Sequence, residues 1–233
     1  MHLFISLLMA IAPSLLLVWY YYKQDMEKPE PKHLVVKIFF LGILFTVPAI
    51  ILEILFDEIF GFIMRGTLIY DFIKAFVVAA FIEESIKLFV VNRFAYNHIH
   101  FDEVMDGIVY TIVASLGFAC MENVIYVVEG GFTIALVRAI TAVPMHAVAS
   151  GLMGYYIGKA KFSENEDDKK YLTFKGLLFA VLIHGFYDFF LFASPKIGFI
   201  LALGVFPLII FTFLSLKEKI SLAIAEDLQA GRN

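Results

Sequence analysis

Two adjacent carboxylates and a lysine interrupt an otherwise bilayer-compatible stretch in Phe81-Ile82-Glu83-Glu84-Ser85-Ile86-Lys87. On a helix, Lys87 lies three residues from Glu84 and four from Glu83, within reach of both. Each such charge at the centre of a membrane helix costs about 2.5–3.5 kcal/mol on insertion scales. The group therefore needs partners, water, a metal or a catalytic use. Neutralisation by Lys87 accounts for one carboxylate and leaves the second unexplained.

Further polar residues recur in equally apolar surroundings. Glu122 and Asn123 close Leu-Gly-Phe-Ala-Cys-Met-Glu-Asn, His146 lies in Val-Pro-Met-His-Ala, and His184 stands one turn before Asp188 in Leu-Ile-His-Gly-Phe-Tyr-Asp. Each has a plain explanation. His146 could bond a carbonyl freed by a kink at Pro144, and Asp188 could fix the His184 tautomer without any metal. A pairing of Glu122 with Arg138 is disfavoured because Arg138 reads as close to the surface. Their coincidence across four apolar segments points instead to hydrolysis. Two histidines and a carboxylate (His146, His184 and Glu122) suit a catalytic Zn2+, which activates water. A further glutamate would then act as general base. A metal-independent route would use a buried glutamate as base, with His184 or Asn123 supporting the oxyanion. No His-Glu-x-x-His motif forces the zinc reading.

The elements that must carry these residues follow from composition. The 233 residues are 61% hydrophobic and include 26 phenylalanines, with a mean hydropathy of +0.85, more than a soluble core can hide. The expected fold is all-α: a polytopic membrane helix bundle of about seven transmembrane helices, at residues 3–22, 34–55, 72–92, 104–128, 132–158, 173–193 and 197–216. It forms a single domain over 1–233, with 217–233 as a short cytoplasmic tail, amphipathic or frayed. Lysines crowd alternate loops: Lys23, Lys28, Lys32 and Lys37, then Arg93, then Lys159, Lys161, Lys169, Lys170 and Lys175, then Lys217, Lys219 and Arg232. The positive-inside rule accordingly places the N-terminus outside and the C-terminus in the cytoplasm. The first segment reads as a span rather than a signal peptide, since it lacks a basic leader and lysines follow it. At 1.5 Å per residue, Glu122 and His184 fall beyond the midplane toward the outer face, with His146, Glu83 and Glu84 near the centre.

Glu-Glu-Ser-Ile-Lys at 83–87, Phe118-x-x-x-Glu122-Asn123, His146 and His184-x-x-x-Asp188, in that order, closely resemble the PrsW family of bacterial intramembrane proteases. That family is distantly similar to CAAX-prenyl endopeptidases and bacteriocin-immunity proteins. Phe101-Asp102-Glu103, Asp106-Gly107-Ile108-Val109-Tyr110 and Gly158-Lys159-Ala160-Lys161-Phe162 extend the likeness over most of the chain. The resemblance implies a site-1 protease of the bacterial cell membrane. It would cut the extracytoplasmic part of a single-pass anti-sigma factor near the bilayer, leading to sigma-factor activation. Carried onto this chain, Glu83, Glu84 and His184 are catalytic, with Glu122, His146 and Asp188 completing the site. Glu84 is expected as general base, His184 and His146 as metal ligands or oxyanion stabilisers, and Glu122 as third ligand or second acid. Lys87 would set the glutamate charges and Asp188 would orient His184.

Two other classes fit part of the pattern. A proton- or ion-coupled transporter would place the same Glu, His, Asp and Lys residues as a relay, but no internal repeat or pair of broken helices is visible. A receptor or scaffold would leave the buried charges without a use. The net charge of −4 and the lack of a basic patch with interleaved aromatics argue against nucleic acid as a partner. Cys120 lies within a span and bears on no disulfide. Asp106 reads as a helix-start residue, and Ala147, Gly151, Gly154 and Gly158 as a close-packing face.

Overall fold

The computed structural model describes residues 2–25 and 28–232, and no strand occurs among them. The helices are α1 (His2–Tyr22), α2 (Lys32–Met64), α3 (Leu68–Ile73), α4 (Phe81–Phe94), α5 (Val104–Ile140), α6 (Ala142–Lys161), α7 (Glu166–Ile197) and α8 (Val205–Gln229). A π-helical segment, Lys74–Ala80, joins α3 to α4 without a break, and a 3-10 turn, Phe199–Gly204, leads into α8. Among the described residues, six stretches are long and apolar enough to cross a membrane. The remaining expected span, 72–92, falls on the α3, π and α4 run, whose separate pieces are short and which carries Glu83, Glu84 and Lys87. Large apolar side chains such as Leu16, Phe40, Leu44, Phe174 and Phe211 stay exposed around the bundle, as lipid contact requires.

The expected boundary between residues 128 and 132 falls inside α5, where Gly131 adopts φ 65° and ψ −154°. Only glycine takes such a conformation without steric cost, and the chain reverses there. Asn123 and Arg138, which a straight helix would hold about 22 Å apart, are 2.7 Å from each other across the turn. Beyond it, Thr141 breaks the helix (φ −122°, ψ −65°). Pro144 has no N–H for the carbonyl of Ile140 and its ring would crowd it, so the interruption relieves both problems.

This hairpin is the spine of the protein. Residues 104–120 are all buried, because their neighbours approach at backbone distance. A Cβ on Gly107 would lie 2.4 Å from the carbonyl oxygen of Gly154, and one on Gly158 would lie 2.3 Å from that of Val104. On the α2 side, Cβ atoms on Gly42 and Gly117 would strike the carbonyl oxygens of Ala114 and Phe39. The small face of α6 is thus used for helix packing.

The lysine-rich loops gather at one end of the bundle. Lys28 pairs with Asp102 at 2.8 Å, Lys161 donates to the Tyr96 carbonyl, and Lys159 pairs with Glu226. The segment from 217 onward is not frayed: α8 continues to Gln229, and the buried Asp227 carboxylate accepts the N–H groups of Val104 and Met105 at 2.9 and 3.1 Å. It neutralises donors at the start of α5 where the helix dipole also favours negative charge. Asp106 completes a capping box with Glu103. At the other end, Asp57 is shared by Arg65, Lys74 and Tyr70.

Overpacking at a backbone contact costs about 1–3 kcal/mol or more. Gly154→Val should therefore lower the thermal midpoint of the detergent-solubilised protein by at least ~4 °C, and an unchanged midpoint would contradict this helix crossing.

Candidate active site

Lys87 is the hub of the site. It is 1% exposed, and its ammonium donates to Glu84 at 2.7 Å and to Glu83 at 3.1 Å, and lies 3.0 Å from His146 Nδ1. The Phe118 ring covers it at 4.6 Å from the centroid, adding a cation–π contact. An ammonium has donors only, so His146 Nδ1 accepts and Nε2 carries the proton. Nε2 then donates to Glu122 Oε2 at 3.0 Å.

His184 reaches the same carboxylates from α7. Its Nδ1 is 2.9 Å from Glu84 Oε1, and its Nε2 is 3.3 Å from Asp188 and 4.0 Å from Glu83. Both nitrogens face acceptors, so the ring presents protons or a cation to both sides. Glu84 is fully buried, and Ser150 Oγ, one turn after His146, donates to its second oxygen at 2.9 Å. The rings of His146 and His184 meet edge-to-face at 5.0 Å. All eight sequence-predicted residues are therefore in one neighbourhood, though not in equivalent positions.

Local sequence explains the convergence. The π segment ends one residue before Phe81, whose N–H bonds to Phe76; the extra residue in that turn rotates the following helix face, which points Glu83 and Glu84 inward. Phe76 in turn fills the space left by Gly185, where any Cβ would lie 2.3 Å from its ring. That contact seats α7 so that His184 meets Glu84.

Three expectations change. Arg138 is not a surface residue: it forms an ion pair with Glu122 at 3.0 Å and is 14% exposed at the side chain. The reversal at Gly131 folds it back beside Glu122, a position that a count along separate spans misplaced. Asn123 is not free to support an oxyanion, since its Oδ1 accepts from Arg138 and its Nδ2 donates to the Ala10 carbonyl. Glu122, expected as a metal ligand, stands between Arg138 and His146 and outside the tightest donor group.

That group is Glu83, Glu84, His146 and His184, each offering one ligand atom within 4.8 Å of the others. Two imidazoles and two carboxylates suit a zinc-type ion. The charge balance favours a cation as well: among the described residues, the cluster of Glu53, Glu83, Glu84, Glu122 and Asp188 has Lys87 and Arg138 as its lysine and arginine partners.

Glu53, absent from the sequence-derived set, lines a cavity of about 210 Å³ together with Glu83, Glu122, Phe118, Tyr126 and Thr46. It reads as terminal if the second span ends at 55. However, α2 continues to Met64, which brings Glu53 inward. Ser150 was findable, being one helical turn from His146.

A polytopic helix bundle whose interior holds paired glutamates, histidines and an acid-lined cavity defines a membrane-embedded peptidase. Residues 30–215 match the family described as PrsW family intramembrane metalloprotease, and the chain belongs to that family. It is 39% identical to Protease PrsW of Bacillus subtilis (strain 168) over 84% of this chain and 87% of that protein. It is 40% identical to Protease PrsW of Oceanobacillus iheyensis over 78% and 80%, and 33% identical to Protease PrsW of Clostridioides difficile (strain 630) over 83% and 82%. No solved structure matches the chain. The protein is thus a multi-pass bacterial membrane peptidase, and the transporter and receptor readings are set aside.

Removing one member of a buried ion pair costs about 3–5 kcal/mol. Lys87→Met should destabilise the protein accordingly, and adding Glu84→Gln should recover part of the loss. Thermal midpoints of the single and double variants in the same detergent check this; additive losses would mean that the two residues are not coupled.

Proposed function

We propose that the protein hydrolyses a peptide bond just outside the membrane in a single-pass anti-sigma factor, the first cut toward sigma-factor release. The carrying observation is the acid-lined cavity beside the histidine pair, bounded by Glu53, Glu83 and Glu122. The lysine-rich end defines the cytoplasmic side by the positive-inside rule. From there Glu122 lies 18 residues along α5, ~27 Å, a depth suited to a bond near the outer interface.

Glu83 and Glu84 divide the work. Both oxygens of Glu84 are engaged by Lys87, His184 and Ser150, so it anchors the site. Glu83 faces the cavity and keeps fewer partners, which supports it, rather than Glu84, as the general base that takes a proton from water. Lys87 holds Glu83 in place. Asp188 orients His184, and Arg138 holds Glu122 against His146. Glu84, His146 and His184 would hold a zinc ion, leaving a position open beside Glu83; the ion would supply Lewis acidity toward water and the scissile carbonyl.

The test is co-expression of a tagged single-pass anti-sigma factor from the same genome with wild type, Glu83→Gln, Glu84→Gln or His184→Ala at matched membrane levels. Wild type should yield a membrane-retained fragment cut just outside the bilayer, and each variant should lose it by more than ~100-fold. A fragment of undiminished yield with all three variants would overturn the assignment. In detergent, a zinc chelator should abolish cleavage and added Zn2+ restore it; full activity in chelator would favour the glutamate route without metal.

A further inference from the structure

The lysine-rich end holds a second group of buried acids that the peptidase site does not use. Asp25 lies in the loop between α1 and α2, Glu103 at the N-cap of α5 and Asp106 in its first turn. Each brings a carboxylate oxygen within 4.8 Å of the other two. The three residues are 5%, 3% and 1% exposed. Asp25 Oδ2, Glu103 Oε1 and Asp106 Oδ1 are buried and have no hydrogen-bond partner.

The rest of the cluster is already committed. Asp106 Oδ2 accepts the N–H groups of Asp102 and Glu103, each at 2.7 Å, and the Glu103 carboxylate accepts the N–H of Asp106. Tyr110 donates to Glu30, whose carboxylate adjoins Asp106. The nearby cations point elsewhere: Lys28 pairs with Asp102 at 2.8 Å and Arg232 with Asp227 at 2.8 Å. Burial and the neighbouring acids push the carboxyl of Asp25 up to about 8 and that of Glu103 up to about 7. Buried carboxylate oxygens without partners are costly, and three such carboxylates gathered from two chain segments repel unless protons or a cation neutralise them.

We propose that Asp25, Glu103 and Asp106, flanked by Glu30, form a binding site for a hard divalent cation, Ca2+ or Mg2+. The donors are all oxygen, with no imidazole or thiolate, the set that selects these ions over zinc. Asp106 and Glu122 are 16 residues apart on one helix, ~24 Å, so this centre is separate from the peptidase site. Its occupant would tie the α1–α2 loop to the start of α5. The proposal is independent of the substrate assigned above.

The test uses the full-length protein in detergent, stripped with chelator and dialysed. Thermal midpoints and equilibrium dialysis with Ca2+ or Mg2+ are compared for wild type, Asp25→Asn, Asp25→Asn with Glu103→Gln, and Glu84→Gln. In wild type and Glu84→Gln, millimolar Ca2+ or Mg2+ should raise the midpoint by ~3 °C or more and bind at one ion per chain. Asp25→Asn should lose most of that rise, and its cation-free midpoint should match or exceed that of wild type, because a repelling charge is gone while the Glu103 cap remains. Absence of any rise in wild type would overturn the site, as would a rise that persists in the double variant. A rise lost in Glu84→Gln would assign the ion to the peptidase centre instead.

Discussion

Everything in the interior depends on one constraint: in hydrocarbon, Lys87 cannot stand alone, and neither can the carboxylates around it. The ammonium holds Glu83, Glu84 and His146 in place at once. His146 passes the connection to Glu122, and Glu122 to Arg138; Glu84 passes it to His184. A chain of charge-assisted contacts thus links α4, α5, α6 and α7. In a low-dielectric interior each link is strong when complete and expensive when broken, so the catalytic groups are also the groups that specify how these helices meet.

The apolar packing follows the same requirement. Side chains as short as Ser115 and Ser150 bridge helices only where the backbones come close. Gly107, Gly154 and Gly158 bring α5 and α6 to that distance, and Gly42 and Gly117 do the same for α2 and α5. Gly185 admits the Phe76 ring beside His184. The glycines therefore do not merely fill the bundle; they set the separation at which the polar network can close.

Much of this was readable in the sequence because hydropathy and helical periodicity are local properties. The spans, the hairpin boundary near Gly131 and the convergence of Glu83, Glu84, His146 and His184 all follow from them. Arg138 was misjudged because its depth depends on the tight reversal at Gly131 and the break at Thr141, which fold it back beside Glu122. Glu53 was passed over because an apolar run marks the minimum length of a helix, and α2 extends beyond it through Asp57 and Glu58. The split between an anchored Glu84 and a cavity-facing Glu83 needs tertiary contacts, since adjacent residues on a helix point only about 100° apart. The buried Asp227 cap was hidden for the same reason: its partners are more than a hundred residues away.

The tight turn at Gly131 also bears on how the chain enters the bilayer during synthesis. Glu122 and Arg138 become neighbours as soon as that hairpin forms, so the two limbs can leave the aqueous channel as an already neutral pair. Glu83, Glu84 and Lys87 bring their own counter-charge within a single helix, and His184 has Asp188 one turn away. Each charged segment can thus be delivered to lipid with most of its charges partnered locally, and afterward add the cross-helix contacts of the assembled site. Biogenesis and catalysis thereby draw on the same residues at different times.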